Sequence, residues 1–513
     1  MLKREKWVKK AGHILTQGLL QLGPLYCKLG QILSCREDVL PESWIQSLEQ
    51  LQDQVPAQTG DKARELAIAA WKEGRNHDLL GNFDEVFSDF DTTPLAAASL
   101  GQVHKAVLRE TNDTVAIKLQ RPYLRQIYDQ DLEFLTKIAR IVDRLSGKRS
   151  GVEQSWTEIF ESAEAILYRE IDYRDEAENG IRFCDDFGLD KGGKPKTPSA
   201  LAKNGEPLPS AAAWLRAPHV YGKYCSEKVL VMEFVPSIKI TNAAKLAKAD
   251  VTAEERAYLA DCLGRSYLRQ FCSHLFFSTD PHPGNLGCEI VQEDGKDVKK
   301  AQKKNNFFAA NPGSSPSTPE RVRLVFYDFG QAATLTEGQA DGILEIIEAI
   351  VDMNVDQSME AFKKMGVLKE NADMDKVRAK IADNYKTGKV KANRKRLQQR
   401  GYKFAASKET KDASAASAQS DDSAKEAKVR DTEVMGYFTL PAEYAFVGRA
   451  LTQMAGVGKT LDSDFDFISS AAPWIYEVEG ASQYLKKEVS KKLADFGLDQ
   501  IMPKYKSKET SKR

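Results

Sequence analysis

Two short motifs in the C-terminal half of the chain carry the side chains that phosphoryl transfer requires. The first is Phe277-Ser-Thr-Asp280-Pro-His-Pro-Gly-Asn285, which places a carboxylate and an amide on a turn-rich loop. The second is Val325-Phe-Tyr-Asp328-Phe-Gly330. Phosphoryl transfer needs one group that orients the attacking oxygen, and oxygen ligands for a Mg²⁺ ion that bridges the phosphates. The motifs therefore predict that Asp280 orients the nucleophile and that Asn285 and Asp328 bind Mg²⁺.

A lysine for the phosphates lies upstream, on a predicted strand. Val115-Ala-Ile-Lys118 ends a strand-forming run, where a lysine can pair with the α- and β-phosphates of a nucleotide. A lone strand lysine is usually a solvated edge charge, but Lys118 follows a small-residue hairpin and precedes Asp280. After a further strand at 229–232, Glu233, Phe234 and Val235 are expected to form a hinge whose backbone recognises adenine. The expected cofactors are ATP or ADP with Mg²⁺.

Periodicity in the rest of the chain predicts the helices and strands that position these motifs. A hairpin is expected where the segments 94–108 and 115–119 flank a turn at Asn112-Asp113. Helical spacing of apolar residues covers most of the remaining chain. The predicted helices are 1–22, a stretch that follows Gly23-Pro24 and runs through 28–31 to Pro41, 44–55, 63–73, 78–87, 129–147, 153–182 and 253–275, with mostly helical sequence at 335–400 and 441–500.

The first of these helices has two interpretations. Three- and four-residue spacing separates its apolar residues, which are Trp7, Ala11, Ile14, Leu15, Leu19 and Leu22. The opposite face is rich in lysine, so the helix is amphipathic. Such a helix either packs on its own domain or touches a membrane surface or a partner.

Composition limits the class of protein. The 513 residues include 74 Lys and Arg and 74 Asp and Glu, so the formal net charge is zero. This balance argues against a surface built to neutralise nucleic-acid phosphates. The seven cysteines are widely spread without a Cys-x-x-Cys pair, which disfavours a disulfide scaffold or a structural zinc site and favours a reducing compartment. No apolar run approaches the roughly 20 residues of a membrane-spanning helix.

Three segments have compositions that predict surface insertions without fixed structure. Residues 189–213 are rich in Lys, Gly, Pro, Ser and Ala, and residues 292–320 combine a lysine run with a Ser/Pro run. Residues 405–431 are a Ser/Ala/Lys/Asp low-complexity run.

Four further motifs give the chain a specific resemblance to a known family. They are Lys28-Leu-Gly-Gln31, Ala96-Ala-Ala-Ser99, Glu170-Ile-Asp172 with Glu176 four residues later, and Arg449–Gly458 followed by Leu461-Asp. Together with the two phosphoryl-transfer motifs, they make residues 12–480, apart from the three segments above, resemble the UbiB/ADCK atypical kinases.

The resemblance implies a fold and a division of the chain. The expected fold class is α+β: a bilobal protein-kinase-like fold with a small β-containing N-lobe, a mainly helical C-lobe and an N-terminal helical extension. The implied bounds are 1–60 for the extension, 61–235 for the N-lobe, 236–500 for the C-lobe and 501–513 for a disordered tail.

The resemblance also implies residue roles. Glu176 would pair with Lys118, and Ala96, Ala97, Ala98 and Ser99 would replace a Gly-rich loop and tune nucleotide selectivity. Lys28 and Gln31 of the extension would lie over the active-site cleft and meet Glu170, Asp172 and the phosphate region. Such a cover would obstruct a protein substrate, which favours ATP hydrolysis or phosphorylation of a small lipid-like substrate.

Departures from ordinary kinase motifs also argue against a protein substrate. Phe277-Ser-Thr-Asp280 lacks the arginine of the His-Arg-Asp motif, and no Ala-Pro-Glu follows Gly330. These absences disfavour a conventional Ser/Thr protein kinase. A pseudokinase-like module, in which nucleotide only switches the affinity for a lipid or partner enzyme, remains the main alternative. Retention of the predicted catalytic residues argues against it.

Three other motifs carry weaker hypotheses. Gly456-Val-Gly-Lys-Thr460 ends like a Walker A loop, but Gln453 stands where the first glycine belongs. His282, between Pro281 and Pro283, is expected to stiffen its loop rather than bind a metal. The basic run 386–400 could attract anionic lipid or form a solvated helix face.

The implied biological setting is isoprenoid-quinone or related prenyl-lipid metabolism at a membrane surface. The expected partners are a nucleotide, a prenyl lipid or quinone precursor, the membrane surface and biosynthetic enzymes, but no nucleic acid. A plastid is the expected location, with the mitochondrion as the alternative.

Overall fold

A computed structural model describes residues 2–33, 42–48, 57–97, 100–146, 156–291, 321–386, 397, 437–438, 442–480, 482–484 and 487. The side chains of some helical residues in these ranges, Gln31 among them, lie outside the description. Two compact units are present. The first comprises Met1–Cys184, Ala217–Pro236 and Tyr327–Gln331, and the second comprises Asp185–Arg216, Ser237–Phe326 and Ala332–Arg513.

Helices account for most of the described chain. In chain order they are α1 (Leu2–Leu22), α2 (Pro24–Leu33), α3 (Glu42–Leu48), α4 (Asp61–Glu73), α5 (Asn76–Leu80), α6 (Phe83–Val86), α7 (Leu124–Ser146), α8 (Trp156–Glu170), α9 (Tyr173–Phe187), α10 (Ala243–Lys248), α11 (Ala253–Arg269), α12 (Glu337–Asp352), α13 (Val355–Lys364), α14 (Met374–Lys386), α15 (Ala442–Leu461), α16 (Phe467–Ala471) and α17 (Ile475–Glu479).

The strands are short. They are β1 (Phe87–Ser88), β2 (Ala96–Ala97), β3 (Gly101–Leu108), β4 (Thr114–Gln120), β5 (Leu189–Asp190), β6 (Lys194–Pro195), β7 (Leu215–Arg216), β8 (Val229–Glu233), β9 (Ile238–Lys239), β10 (Phe276–Ser278), β11 (Leu286–Ile290), β12 (Val322–Phe326) and β13 (Ala332–Thr334).

The first unit is built on an antiparallel sheet in the order β1-β3-β4-β8, with β2 also paired to β3. The predicted hairpin is β3 and β4, and its turn contains Asn112 at φ 57°, a left-handed conformation that asparagine tolerates better than most residues. Helix α4 covers one face of the sheet because Leu66, Ala70 and Trp71 recur at helical spacing and are buried against it.

The N-terminal helices join this unit through two apolar clusters. Leu19 of α1 and Cys27 of α2 pack with Ile45 and Leu48 of α3. On the other side of α2, Leu25 packs with residues of α7 and α8, including Leu167. Gly23 separates α1 from α2 at φ 119°, a conformation that residues with a Cβ rarely adopt. Helix α2 is therefore fixed between α3 and the α7–α8 pair.

The second unit contains a sheet in the order β7-β12-β11-β9 and a two-stranded ladder of β10 with β13. Helix α11 begins with a capping box, in which Thr252 Oγ1 accepts a hydrogen bond from the Glu255 N–H and Glu255 accepts one from the Thr252 N–H. A π-helical turn follows, and Leu275 at φ 52° ends it and directs the chain into β10. The loop after β10 carries Asp280.

Three expectations about local structure were wrong. The helix predicted at 78–87 is two helices, α5 and α6, which are separated at Gly81 and Asn82, and Phe87 belongs to β1. The helix predicted at 153–182 is two helices, α8 and α9, which are separated at Ile171 and Asp172. Residues 189–213 have fixed structure: β5 pairs with β6, and Ala200, Ala202 and Leu208 form a small buried cluster. This segment is rich in small apolar residues, which can be buried as readily as a conventional core residue.

Some sequence expectations fall outside the described residues. These include the segments 292–320 and 405–431, the tail 501–513, and the residues Ala98 and Ser99. The helix predicted at 44–55 is described only as far as Leu48. Among the helices that are described, none has the length and apolar character needed to cross a bilayer.

Candidate active site

Lys118 is the centre of a charged cluster in the first unit. It lies in β4, and its Nζ is 2.8 Å from both carboxylate oxygens of Glu176 and 3.4 Å from Oδ2 of Asp328. The ring of Tyr173 lies under the same ammonium group at 5.2 Å from Nζ to the ring centroid. Burial opposes the charged form of Lys118, but the Asp328 and Glu176 carboxylates outweigh it and raise the pKa of the lysine.

Glu176 reaches Lys118 from the first turn of α9. Its side chain is only 6% exposed. Burial raises the pKa of Glu176 to about 7, against the opposing effect of the Lys118 charge, and the nearby Asp328 charge adds to the increase. Glu176 is thus the member of the cluster that gains a proton first as the pH falls.

Asp328 follows β12 and is held from two sides. Its Oδ1 accepts a hydrogen bond from the Gly330 N–H at 2.9 Å, while Oδ2 faces Lys118. Burial opposes ionisation of Asp328, but the Lys118 charge, the Gly330 N–H and the Lys28 charge together lower its pKa. Asn179 of α9 fixes the same loop by donating to the Phe329 carbonyl at 2.9 Å.

The ionised Asp328 carboxylate fits a Mg²⁺ ligand. Mg²⁺ prefers oxygen ligands, and one or two carboxylates usually hold it together with substrate phosphates. The Asp328 side chain is 36% exposed, which leaves its oxygens accessible. Glu176 in contrast is enclosed against Lys118, so it is better placed to position the lysine than to hold a metal.

A second charged group links α2 to α8. Lys28 Nζ lies 3.0 Å from Glu170 Oε2, and the two side chains are 15% and 6% exposed. Oε1 of the same glutamate accepts a hydrogen bond from Gln331 Nε2 at 2.7 Å. Glu170 therefore joins the N-terminal extension to the residue that follows the Asp-Phe-Gly motif.

Asp172 forms hydrogen bonds with Arg174, the second residue of α9. Its Oδ1 accepts from the Arg174 N–H at 3.0 Å and from Arg174 Nε at 2.9 Å. The hydrogen bonds to Arg174 lower the pKa of Asp172. Asp172 thus stabilises the start of α9, the helix that carries Glu176.

The residues expected around the nucleotide are partly described. Ala96 and Ala97 form β2 and pair with Val103 and Gln102 of β3, so this loop begins as a short hairpin. Glu233 ends β8, and its N–H donates to the His219 carbonyl at 2.8 Å. The Phe234 N–H donates to the Thr114 carbonyl at 3.1 Å. The N–H groups of Glu233 and Phe234 are thus used within the unit, and Val235 is buried.

The loop with Asp280 belongs to the second unit. Asn285 Nδ2 donates to the Asp280 carbonyl at 3.4 Å, and the Asn285 N–H donates to the His282 carbonyl at 2.8 Å. His282 Nδ1 accepts from the Gly284 N–H at 3.1 Å, which agrees with the expectation that His282 stiffens this loop. Nη2 of Arg449, on α15, lies 3.6 Å from Asp280 Oδ1.

Comparison with known proteins decides the family. The ABC1 atypical kinase-like domain matches residues 50–362, which is more than half of the chain. The chain belongs to the ABC1 family of atypical kinases. The resemblance to UbiB/ADCK proteins is thereby confirmed, as is the kinase-like fold with mixed helices and strands.

Several relatives of this ABC1 protein are informative. It is 31% identical over 491 residues to Protein ACTIVITY OF BC1 COMPLEX KINASE 8, chloroplastic, from Arabidopsis thaliana, covering 92% of the chain and 54% of that relative. It is 29% identical over 479 residues to an uncharacterized protein of Synechocystis, covering 93% of the chain and 65% of that protein. A probable protein kinase UbiB from Shewanella is 32% identical over 278 residues, which are 54% of the chain and 44% of the relative.

The chain thus spans between about half and two thirds of the length of its first curated relatives. Among solved structures, the Rv3197–erythromycin complex from Mycobacterium tuberculosis aligns with 92% of the chain and 96% of its own, at 20% identity and a TM-score of 0.46.

Sequence reasoning missed three residues that contact predicted site residues. Gln331 directly follows the Asp-Phe-Gly motif, but a glutamine carries no signal of its partner. Tyr173 could have been noticed because it follows Asp172, which is a good helix cap. Arg449 was part of a quoted motif, and only the fold brings it to Asp280, 169 positions earlier in the sequence.

Proposed function

We propose that this ABC1 protein is an ATP-binding, Mg²⁺-dependent atypical kinase or ATPase. The observation that carries the proposal is the Lys118–Glu176–Asp328 cluster, in which a strand lysine, a helix glutamate and the Asp-Phe-Gly aspartate meet within 3.4 Å. Lys118 would hold the nucleotide phosphates, and Glu176 would keep the lysine in position. Ala96 to Ser99 would cover the nucleotide, and the segment Glu233 to Val235 would contact adenine.

Asp328 and Asn285 would hold Mg²⁺, which when bound neutralises the charge on the phosphates. Asp280 would orient the attacking hydroxyl or water, and Arg449 would hold the Asp280 carboxylate. Lys28, Gln31, Glu170 and Asp172 would control access to the phosphate region. The contact of Lys28 with Glu170 supports this role, because it joins α2 to the end of the helix that precedes α9.

The biological setting is proposed from the relatives. UbiB-named relatives support a role in isoprenoid-quinone or related prenyl-lipid metabolism, and chloroplastic relatives support a plastid location. A membrane surface, a quinone precursor and biosynthetic enzymes would then be the partners. The mitochondrion is the alternative location.

The decisive experiment measures ATP hydrolysis with and without liposomes and candidate prenylquinone precursors. The wild-type chain should turn over ATP in a Mg²⁺-dependent manner, and Asp328→Asn should reduce turnover by about a hundredfold or more. Asp84→Asn makes the same chemical change at an exposed ion pair and should leave turnover unchanged. Equal rates for the wild type and Asp328→Asn would favour a nucleotide-switched binding module, and transfer to peptides would revive a conventional protein kinase.

A further inference from the structure

Helix α1 presents two apolar faces, of which its own unit uses one. The used face contains Gly12, Thr16 and Leu19, all buried against α2 and α3. A Cβ on Gly12 would lie 3.0 Å from Trp44 Cδ1, which shows how closely α3 approaches. Trp44 Nε1 also donates to the Val8 carbonyl at 2.9 Å. These contacts fix the orientation of α1.

The other face carries large apolar residues that its unit leaves exposed. Trp7 is 71% exposed, and Ile14 and Leu22 are each 61% exposed. With Ala11 and Gly18 between them, they recur every three or four residues and so lie on one side of the helix. We call Trp7, Ile14 and Leu22 the outer stripe of α1.

Charge at the start of the helix identifies the partner of the outer stripe. The first ten residues contain five basic side chains, Lys3, Arg4, Lys6, Lys9 and Lys10, against Glu5 alone. From Ala11 to Leu22 the helix has no Asp, Glu, Lys or Arg. Lys10 Nζ lies 5.8 Å from the centroid of the Trp7 ring, so cationic and aromatic groups occur side by side.

We propose that α1 docks on the surface of an anionic lipid bilayer. The outer stripe would enter the boundary between headgroups and acyl chains, and the basic first turns would meet the lipid phosphates. Stable attachment at a membrane surface requires two such signals, one apolar and one electrostatic. Trp in particular favours this boundary because its ring is amphipathic.

This inference specifies which part of the chain meets the membrane surface of the proposed function, but it does not depend on the proposed enzymatic activity, because binding can be measured without nucleotide. It also has a structural consequence. Gly23 joins α1 directly to α2, which carries Lys28 to Glu170. A bilayer docked on α1 would therefore lie next to the helix that contacts the end of α8.

The test is cosedimentation of the full chain with vesicles. Equimolar phosphatidylglycerol and phosphatidylcholine vesicles should bind the wild-type chain about tenfold or more tightly than pure phosphatidylcholine vesicles do. The triple variant Trp7→Gln/Ile14→Gln/Leu22→Gln should bind the anionic vesicles about tenfold or more weakly than the wild type does. The matched control Ile68→Gln/Leu79→Gln, at exposed apolar positions of α4 and α5, should bind like the wild type.

A charge variant keeps the proposal testable if the triple variant unfolds. Lys10→Glu should weaken binding to anionic vesicles, whereas Lys62→Glu on α4 should not. Wild-type affinity in the triple variant, or equal affinity for neutral and anionic vesicles, overturns the proposal. So does a wild-type dimer that the triple variant converts to a monomer, because the outer stripe would then be an interface between copies.

Discussion

At the scale of single residues, the protonation of Glu176 sets the charge of the cluster formed by Lys118, Glu176 and Asp328. Below a pH of about 7 this buried carboxyl is neutral, and the cluster of Lys118, Glu176 and Asp328 has no net charge. Above that pH Glu176 is ionised, and the cluster carries one negative charge that attracts a cation. Affinity for Mg²⁺ with nucleotide should therefore be highest above pH 7 and fall as the pH is lowered through that value.

Calorimetric titration with Mg²⁺ and nucleotide across this pH range checks the prediction. Glu176→Gln should remove the pH dependence and weaken binding about tenfold. Glu178→Gln, an exposed position on the same helix, should keep the wild-type profile and serves as the control. If the affinity of Glu176→Gln for Mg²⁺ with nucleotide still changes through pH 7 as it does in Glu178→Gln, another group is responsible for the titration.

Arg449 gives a second prediction at this scale. Its guanidinium lies 3.6 Å from Asp280 in a partly buried pair, with side chains 20% and 23% exposed. We therefore expect Arg449 to orient the Asp280 carboxylate and not to contact the nucleotide. Arg449→Ala should lower kcat about tenfold or more while changing the Kd for nucleotide less than about twofold, and Arg449→Lys should restore part of kcat.

The control for Arg449 is Arg378→Ala, which removes an exposed ion pair with Asp356 on another part of the same unit. That variant should leave both kcat and Kd unchanged. If Arg449→Ala changes the Kd as much as kcat, or if lysine restores nothing, Arg449 does not position Asp280.

At the scale of secondary-structure elements, the Lys28–Glu170 pair holds α2 on α8. The Glu170 side chain is 6% exposed, so removing Lys28 leaves a buried carboxylate without its ion-pair partner and with the hydrogen bond from Gln331 at 2.7 Å. A buried unpaired charge is costly. A double-mutant cycle on Lys28→Ala and Glu170→Ala, followed by urea unfolding, should give a coupling of about 1–3 kcal/mol.

The exposed pair Lys137–Glu133 on α7 provides the matched cycle. Its atoms approach to 2.7 Å, but its side chains are 64% and 69% exposed. Solvent screens such a pair, so its coupling should be below about 0.5 kcal/mol. Equal couplings in the two cycles would mean that Lys28 contributes no more than a surface charge.

The same elements show what the sequence can and cannot predict. The hairpin of β3 and β4 was predictable from strand alternation, and the pairing of Lys118 with Glu176 was implied by the family resemblance. The break between α8 and α9 was also encoded, since Asp172 is a helix cap with acidic residues in the turn that follows. Periodicity concealed it, because both helices have continuous apolar spacing.

The packing of α1 could not be predicted for a different reason. Its predicted apolar set divides in the structure: Leu15 and Leu19 pack within the extension, whereas Trp7, Ile14 and Leu22 are exposed. A helical pattern identifies apolar residues but not which of two adjacent stripes meets the neighbouring helices. The contacts of Gln331 and Arg449 depend likewise on distant segments, which no local pattern specifies.

At the scale of the whole molecule, the distribution of charge matters more than its sum. The chain is neutral overall, yet five of its first ten residues are basic. A polyanion such as duplex DNA could in principle bind those residues by charge alone, and such binding weakens steeply with added salt. An anionic bilayer also carries negative charge, and in addition it has an apolar interior that can accommodate the outer stripe of α1.

The salt dependence of binding should therefore differ between duplex DNA and anionic vesicles. Raising the salt from about 50 to about 200 mM should abolish any binding of duplex DNA, because no apolar contact compensates for the screening. Binding to anionic vesicles should weaken but persist, since burial of Trp7, Ile14 and Leu22 does not depend on ionic strength. Parallel titrations of one protein preparation against DNA and vesicles measure this difference. Persistent DNA binding at the higher salt would contradict it, because the neutral chain would then have to hold a basic surface beyond α1.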